Sequence, residues 1–173
     1  MDCKSKVREF LMASFADVIV GEESFRNQEF YLIKPEAVMD ICQGLFDNAE
    51  IDVKYLSDIT SVDWYGHPDA ALGRFEVIYN LYSLSHHYRF FLKARLAAEN
   101  PELPSLTPIW HGANWLEREV WDMMGIVFTG HPDLTKILTP DELEGHPLRR
   151  DFPLTWEAPV FTWNKDLPPE VIK

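Results

Sequence analysis

His87-Tyr88-Arg89-Phe90-Phe91-Leu92-Lys93-Ala94-Arg95-Leu96 reads as a strand: Tyr88, Phe90, Leu92, Ala94 and Leu96 share one face, and Arg89, Lys93 and Arg95 lie on the other. An apolar face of this length must be covered, so neighbouring strands and a helical layer are required. Residues 55–64 and 74–81 are two further strand candidates and complete a three-strand meander with 87–96. Nearer the start, residues 18–21 and 29–33 read as short strands around a polar connection, Glu22-Glu23-Ser24-Phe25-Arg26-Asn27-Gln28. The cover comes from two amphipathic segments. Residues 6–15 place Val7, Phe10, Leu11 and Phe15 at helical spacing, and Pro35 opens a helix to about Asn48 with Val38, Ile41, Cys42 and Leu45 on one face. The expected fold is α+β: a two-layer domain of residues 1–100, with a mainly antiparallel sheet and helices on one face, followed by an extended proline-rich C-terminal arm, residues 101–173. The pattern leaves strand order open.

Composition supports this division. The chain has 173 residues, 46% apolar and 13% aromatic, enough to bury one core. Ten of the twelve prolines lie at or beyond Pro101, as do five of the six tryptophans, Trp110, Trp115, Trp121, Trp156 and Trp163. Proline excludes dense regular structure there, and the large apolar side chains require anchoring. Charge does not divide the chain. Sixteen basic against 28 acidic residues give a net charge of −12, which disfavours nucleic acid and anionic lipid as partners. Residues 35–73 hold eight acidic residues and only Lys54 as base, best read as a solvated acidic face. The longest stretch without Asp, Glu, Lys or Arg, residues 103–116, is too short to span a bilayer. Asp2, Glu9 and Asp17 interrupt any signal-peptide core, so a cytosolic chain is expected, with Cys3 and Cys42 as reduced thiols without a role.

One more helix is readable beyond residue 100. Asn114 caps it, Glu117 completes a capping box, and Gly125 ends it. Leu116, Val120, Met123 and Met124 form its stripe, and Arg118 can pair with Asp122 four residues on. Glu117, Arg118, Glu119 and Asp122 invite an enzymatic reading, but no metal-ligand spacing or nucleophile motif supports it, and a surface helix is the better account. Gly-His-Pro occurs at 66–68, 130–132 and 145–147, each marking a bend whose histidine serves hydrogen bonding rather than metal.

The run Trp115-Leu116-Glu117-Arg118-Glu119, Trp121-Asp122-Met123-Met124-Gly125-Ile126, Gly130-His131-Pro132-Asp133-Leu134, Ile137-Leu138 and Gly145-His146-Pro147-Leu148-Arg149-Arg150-Asp151-Phe152-Pro153-Leu154 closely resembles the NuoC family. These proteins are the thirty-kilodalton, or C, subunits of respiratory complex I, the NADH:quinone oxidoreductase. The strong resemblance covers residues 109–154. Thr135-Lys136 stands where the family often has a basic pair, and Asp141-Glu142-Leu143-Glu144 precedes Gly145.

The resemblance implies a non-catalytic structural subunit of the peripheral arm of a proton-pumping complex, on the cytoplasmic side of the cell membrane. It implies docking near the quinone module, on the D subunit and its neighbours, with the B and I subunits as further partners. Flavin, iron–sulfur clusters and quinone would belong to partner subunits, with no cofactor, metal or catalytic residue on this chain. The implied docking and signature residues are Trp115, Glu117, Arg118, Glu119, Trp121, Asp122, His131, Asp133, Lys136, His146, Arg149, Arg150, Asp151 and Phe152. Trp115, Trp121, Phe152 and Trp156 are expected to bury against the body or the partner. The alternatives are the equivalent subunit of a membrane-bound hydrogenase or a ferredoxin- or coenzyme-linked dehydrogenase and, in another class, a stand-alone enzyme using the Glu117-Arg118-Glu119 helix.

Overall fold

The computed structural model describes residues 3–154; Trp156 and Trp163 lie outside them. The chain runs α1 (Cys3–Ser14), β1 (Ile19–Phe25), β2 (Gln28–Ile33), α2 (Val38–Asp47), β3 (Tyr55–Asp63), β4 (Phe75–Ser83), β5 (Tyr88–Leu96), β6 (Glu102–Pro104), α3 (Ala113–Met124) and β7 (Val127–Thr129). Each segment expected in residues 1–100 forms, with ends shifted by a few residues. One expectation needs correction. The polar connection at 22–28 is mostly strand, because β1 continues to Phe25 and only Arg26 and Asn27, with φ of +51° and +64°, make the turn. β1 is an edge strand, so its Glu22, Glu23 and Ser24 reach water while its backbone pairs with β2.

The sheet has the order β1-β2-β5-β4-β3. β3, β4 and β5 form the antiparallel meander, β1 and β2 an antiparallel hairpin, and the two groups join through the parallel pair β2–β5, with Phe30 beside Phe91 and Ile33 beside Ala94. The sheet is therefore mixed, with one parallel seam. The seam follows from chain length: the chain leaves β2, covers the sheet with α2 and returns through β3 and β4, which brings β5 beside β2 in the same direction.

Alternation decides the faces. Tyr31, Ile33, Ile59, Val77, Tyr79, Leu81, Phe90, Leu92 and Ala94 are buried beneath Val7 and Leu11 of α1, Val38, Ile41 and Leu45 of α2, and Ala113, Val120 and Met124 of α3. At roughly 1.5–3 kcal/mol for each large side chain removed from water, this shared layer is the main source of stability. On the opposite face Phe30 and Phe91 stack at 4.7 Å, with Lys93 over the Phe30 ring and Arg95 paired to Glu76 at 2.5 Å. Lys93, paired with Glu23, and Arg95 are thus neutralised within the sheet, while Arg89 is exposed over the Tyr82 ring.

The core continues into the proline-rich part. Leu103, Leu106, Trp110, Ile126 and Phe128 are buried in the same cluster, and the Trp110 indole donates to the Lys54 carbonyl at 3.0 Å. β6 and β7 pair in parallel, beside α3. Among the described residues no helix is long and apolar enough to cross a membrane.

Candidate functional site

α3 organises everything beyond residue 130. Its first turn departs from the expected arrangement: the helix begins at Ala113, Gly112 stands at the N-cap with no side-chain cap bond, and Glu117 makes no capping box. Glu117 instead points into the core and is fully buried. One carboxylate oxygen accepts from the Ser105 hydroxyl and the other from the Leu106 amide, both at 2.6 Å. Burial pushes its pKa up to about 7, against the lowering effect of these two bonds. Among the described residues no cation pairs with it, and its burial is unexpected because the same residue fits a capping box in sequence.

One turn on, Asp122 receives the opposite treatment. Oδ2 accepts from the amides of Ile137, Leu138 and Thr139 at 3.0, 2.8 and 3.0 Å, and Oδ1 from the Thr139 hydroxyl at 2.5 Å. Burial raises its pKa, but the Thr139 hydroxyl and the three amides outweigh it and hold the carboxyl below its ordinary value. The expected Arg118–Asp122 pair does not form. Arg118 donates to the carbonyls of Thr135 and Lys136 at 3.0 Å each, so both side chains grip the arm backbone rather than each other. Lys136 then gathers the carbonyls of Pro140, Asp141 and Leu143 into a tight loop.

The C-terminal end of α3 is closed by the arm. Gly125 adopts φ of +72° and donates to the Trp121 carbonyl. The next three carbonyls, which a helix leaves without partners, are met in succession. His146 reaches the Asp122 carbonyl at 2.9 Å, the Leu148 amide donates to Met123 at 3.1 Å, and Arg149 Nε donates to Met124 at 2.6 Å. The Arg149 guanidinium also lies over the Phe75 ring at 5.1 Å, a cation at the negative end of the helix dipole. A second clamp ties the arm to the sheet. Asp63 accepts from Arg74 twice and from the amides of Tyr65 and Arg150, all at 3.0 Å, and Arg74 also holds Asp151 at 2.7 Å. Burial raises the Asp63 pKa, but the Arg74, Arg150 and Tyr65 bonds hold it below its ordinary value; the Arg74 bond lowers that of Asp151.

All three Gly-His-Pro units bend the chain as expected, with φ of +74°, +81° and +93° at Gly66, Gly130 and Gly145. His67 and His131 accept at Nδ1 from the amides of Asp69 and Asp133 two residues on, and His131 reaches the Asn114 carbonyl through Nε2.

Nine side chains of the signature set are taken up in bonds within the chain: Glu117, Arg118, Asp122, His131, Lys136, His146, Arg149, Arg150 and Asp151. Trp121 is half-buried against the core; Phe152 is half-buried beside Gly145, in the bend of the arm rather than against the core. Trp115 is 59% exposed and does not bury against this body. Glu119 and Asp133 face solvent.

Sequence reading missed Asp63, Arg74, Ser105 and Thr139. Asp63 belonged to the acidic stretch read as solvated, yet it is buried, and no local pattern joins it to Arg74 across a turn or to Arg150. Outward from this scaffold stand Leu138, Leu148 and Leu154, well exposed, with a cleft of about 290 Å³ between Glu144 and Pro153. Glu117 and Glu119 share no cleft, the first being sealed and the second open. Among the described residues no three His, Cys, Asp or Glu side chains gather as a metal site.

The model of the family described as "Respiratory-chain NADH dehydrogenase, 30 Kd subunit" matches residues 31–158. The chain belongs to this family. It is 43% identical over 156 residues to the C subunit of NADH-quinone oxidoreductase from Roseiflexus castenholzii, covering 90% of this chain and 87% of that one. It is 51% identical over 105 residues to NADH-quinone oxidoreductase subunit 5 of Thermus thermophilus, covering 58% and 51%. Among solved structures, the trypsin-resistant fragment (1-134) of Nqo5 aligns with a TM-score of 0.65 at 32% identity, over 76% of this chain and 99% of the fragment. A chain of a membrane-bound sulfane sulfur reductase, an archaeal respiratory membrane complex, aligns with a TM-score of 0.70 at 22% identity, over 87% and 85%, and shares the fold. The span that matches the 30 Kd subunit family contains the second half of β2, everything from α2 to β7, both clamps and every signature residue.

Proposed function

We propose that the chain is a non-catalytic structural subunit of the peripheral arm of NADH:quinone oxidoreductase, docking on the D, B and I subunits near the quinone module, on the cytoplasmic side of the membrane. The observation that carries this reading is the construction of residues 130–154. Their backbone is fastened from beneath by Asp122, Arg118 and Asp63, and Arg149 reaches back from the arm to the Met124 carbonyl of α3, while leucine side chains are presented outward. A surface held rigid and left apolar suits assembly, since ordering has been met before docking. Trp115 adds an exposed aromatic anchor.

In this reading flavin, iron–sulfur clusters and quinone are bound by the partner subunits. The division into a body, residues 1–100, and a docking arm, residues 101–173, is part of the same proposal. The relatives at 43% and 51% identity are subunits of NADH-quinone oxidoreductase, which favours that complex over the hydrogenase-type alternative. The sealed Glu117 argues against a stand-alone enzyme on α3. Affinity purification of the tagged chain from its own cell tests the proposal: the D, B and I subunits come with it, and NADH-oxidising flavin subunits accompany them. Their absence sinks the reading, and a nickel–iron large subunit in their place transfers it to the alternative.

A further inference from the structure

The arm separates its charges. Each of the four cations between residues 101 and 154 donates to backbone carbonyls: Arg118 to Thr135 and Lys136, Lys136 to Pro140, Asp141 and Leu143, Arg149 to Met124, and Arg150 to Tyr65. None of them neutralises a carboxylate of the arm. Of the carboxylates, Glu117 and Asp122 are buried, and Asp151 is held by Arg74 of the body. Asp141, Glu142 and Glu144 are exposed, and among the described residues none has an ion-pair partner. They lie in the chain between Leu138 and Leu148, 62% and 58% exposed, on a stretch whose Leu143 is buried.

We propose that the outer surface of residues 137–148 docks on a partner-subunit face that is apolar at its centre and carries arginine and lysine around it. This rests on the assembly reading above and adds the chemistry of the partner. An interface places charges of opposite sign together and keeps apolar groups at its core, and this surface supplies only the negative half. The cations that could have balanced it are committed to backbone carbonyls of the arm itself, of α3 and of the body. A second copy of the chain does not fit, because the same acidic face would meet itself across a two-fold axis and each copy carries a net charge of −12.

The test uses the tagged full-length chain expressed in its own cell, with retention of the other subunits measured as ionic strength rises from about 0.05 to 0.5 M. Three variants are compared with the wild type. The first reverses Asp141→Lys, Glu142→Lys and Glu144→Lys together. The second neutralises them as Asp141→Asn, Glu142→Gln and Glu144→Gln, which preserves shape if the reversal disturbs folding. The third reverses the remote, exposed Asp40, Glu50 and Glu99 to Lys, giving the same change in net charge. Loss of about tenfold in retention for the first, a smaller loss for the second and little change for the third are expected, with wild-type retention falling as salt rises. Retention unchanged in the first two, improved by reversal, or lowered equally by the remote variant overturns the proposal while leaving the assembly reading intact. A wild-type chain that brings no other complex component overturns that reading and this one with it.

Discussion

Two carboxylates five residues apart on α3 show how environment assigns opposite signs to the same chemistry. Glu117 is buried without a cation, and its pKa rises to about 7; Asp122 collects four donors, and its pKa falls. For Glu117 the folded state holds the proton more tightly than the unfolded state. Its carboxyl therefore does no harm below the ordinary glutamate range, and stability declines as pH rises from there through about 7 before levelling. Glu117→Gln keeps an acceptor for Leu106 and offers a donor to Ser105, so it should stabilise the chain by about 2–3 kcal/mol at alkaline pH. Little difference is expected near pH 4. Urea denaturation at the two pH values measures this, and a destabilised variant at alkaline pH would contradict it. None of this was legible from Glu117 in sequence, where the same residue fits a capping box.

At the scale of the element, the arm is the C-terminal cap of α3. The expectation that Gly125 ends the helix holds because only a residue tolerating positive φ can turn there. The closeness of the arm adds a second reason: a Cβ at Gly125 would run into Arg149 and His146. Gly125→Ala should therefore cost roughly 1–2 kcal/mol from the backbone alone, with more from the displaced clamp, read as a lowered urea midpoint. Trypsin cleavage at Arg149 and Arg150 should rise in the same variant.

The clamp has its own pH sign. Asp63, Asp122 and Asp151 all have lowered pKa values, so their contribution is present above the ordinary aspartate range and is lost as pH falls through it. Proteolysis of residues 130–150 should accelerate below about pH 4. Pepsin digestion at graded pH, followed by mass analysis, would show whether the arm opens before β4 and β5. The three Gly-His-Pro bends were readable in sequence, since glycine and proline act locally, whereas the gripping of carbonyls by Arg118 and Arg149 was not.

At the scale of the molecule, Arg74 joins the sheet to the arm across 77 residues of chain. Asp63 beside it is 1% exposed at its side chain, so removing the cation strands a buried charge. Arg74→Met should cost about 3 kcal/mol in chemical denaturation at neutral pH. Asp63→Asn combined with Arg74→Met should recover part of that, because the stranded charge is gone. The sequence by itself determined the α+β class, the strands and helices of residues 1–100, their buried faces and the bend positions. These rest on period, proline and glycine, which act within a few residues. Tertiary structure alone decided the parallel β2–β5 seam, the burial of Glu117 and the partners of Asp63 and Asp122. It also decided that the cations of the arm point to carbonyls while Asp141, Glu142 and Glu144 stay outside. Those outcomes depend on which distant donors fill each polar atom's remaining valences, and burial forces them to be filled from whatever the fold brings near.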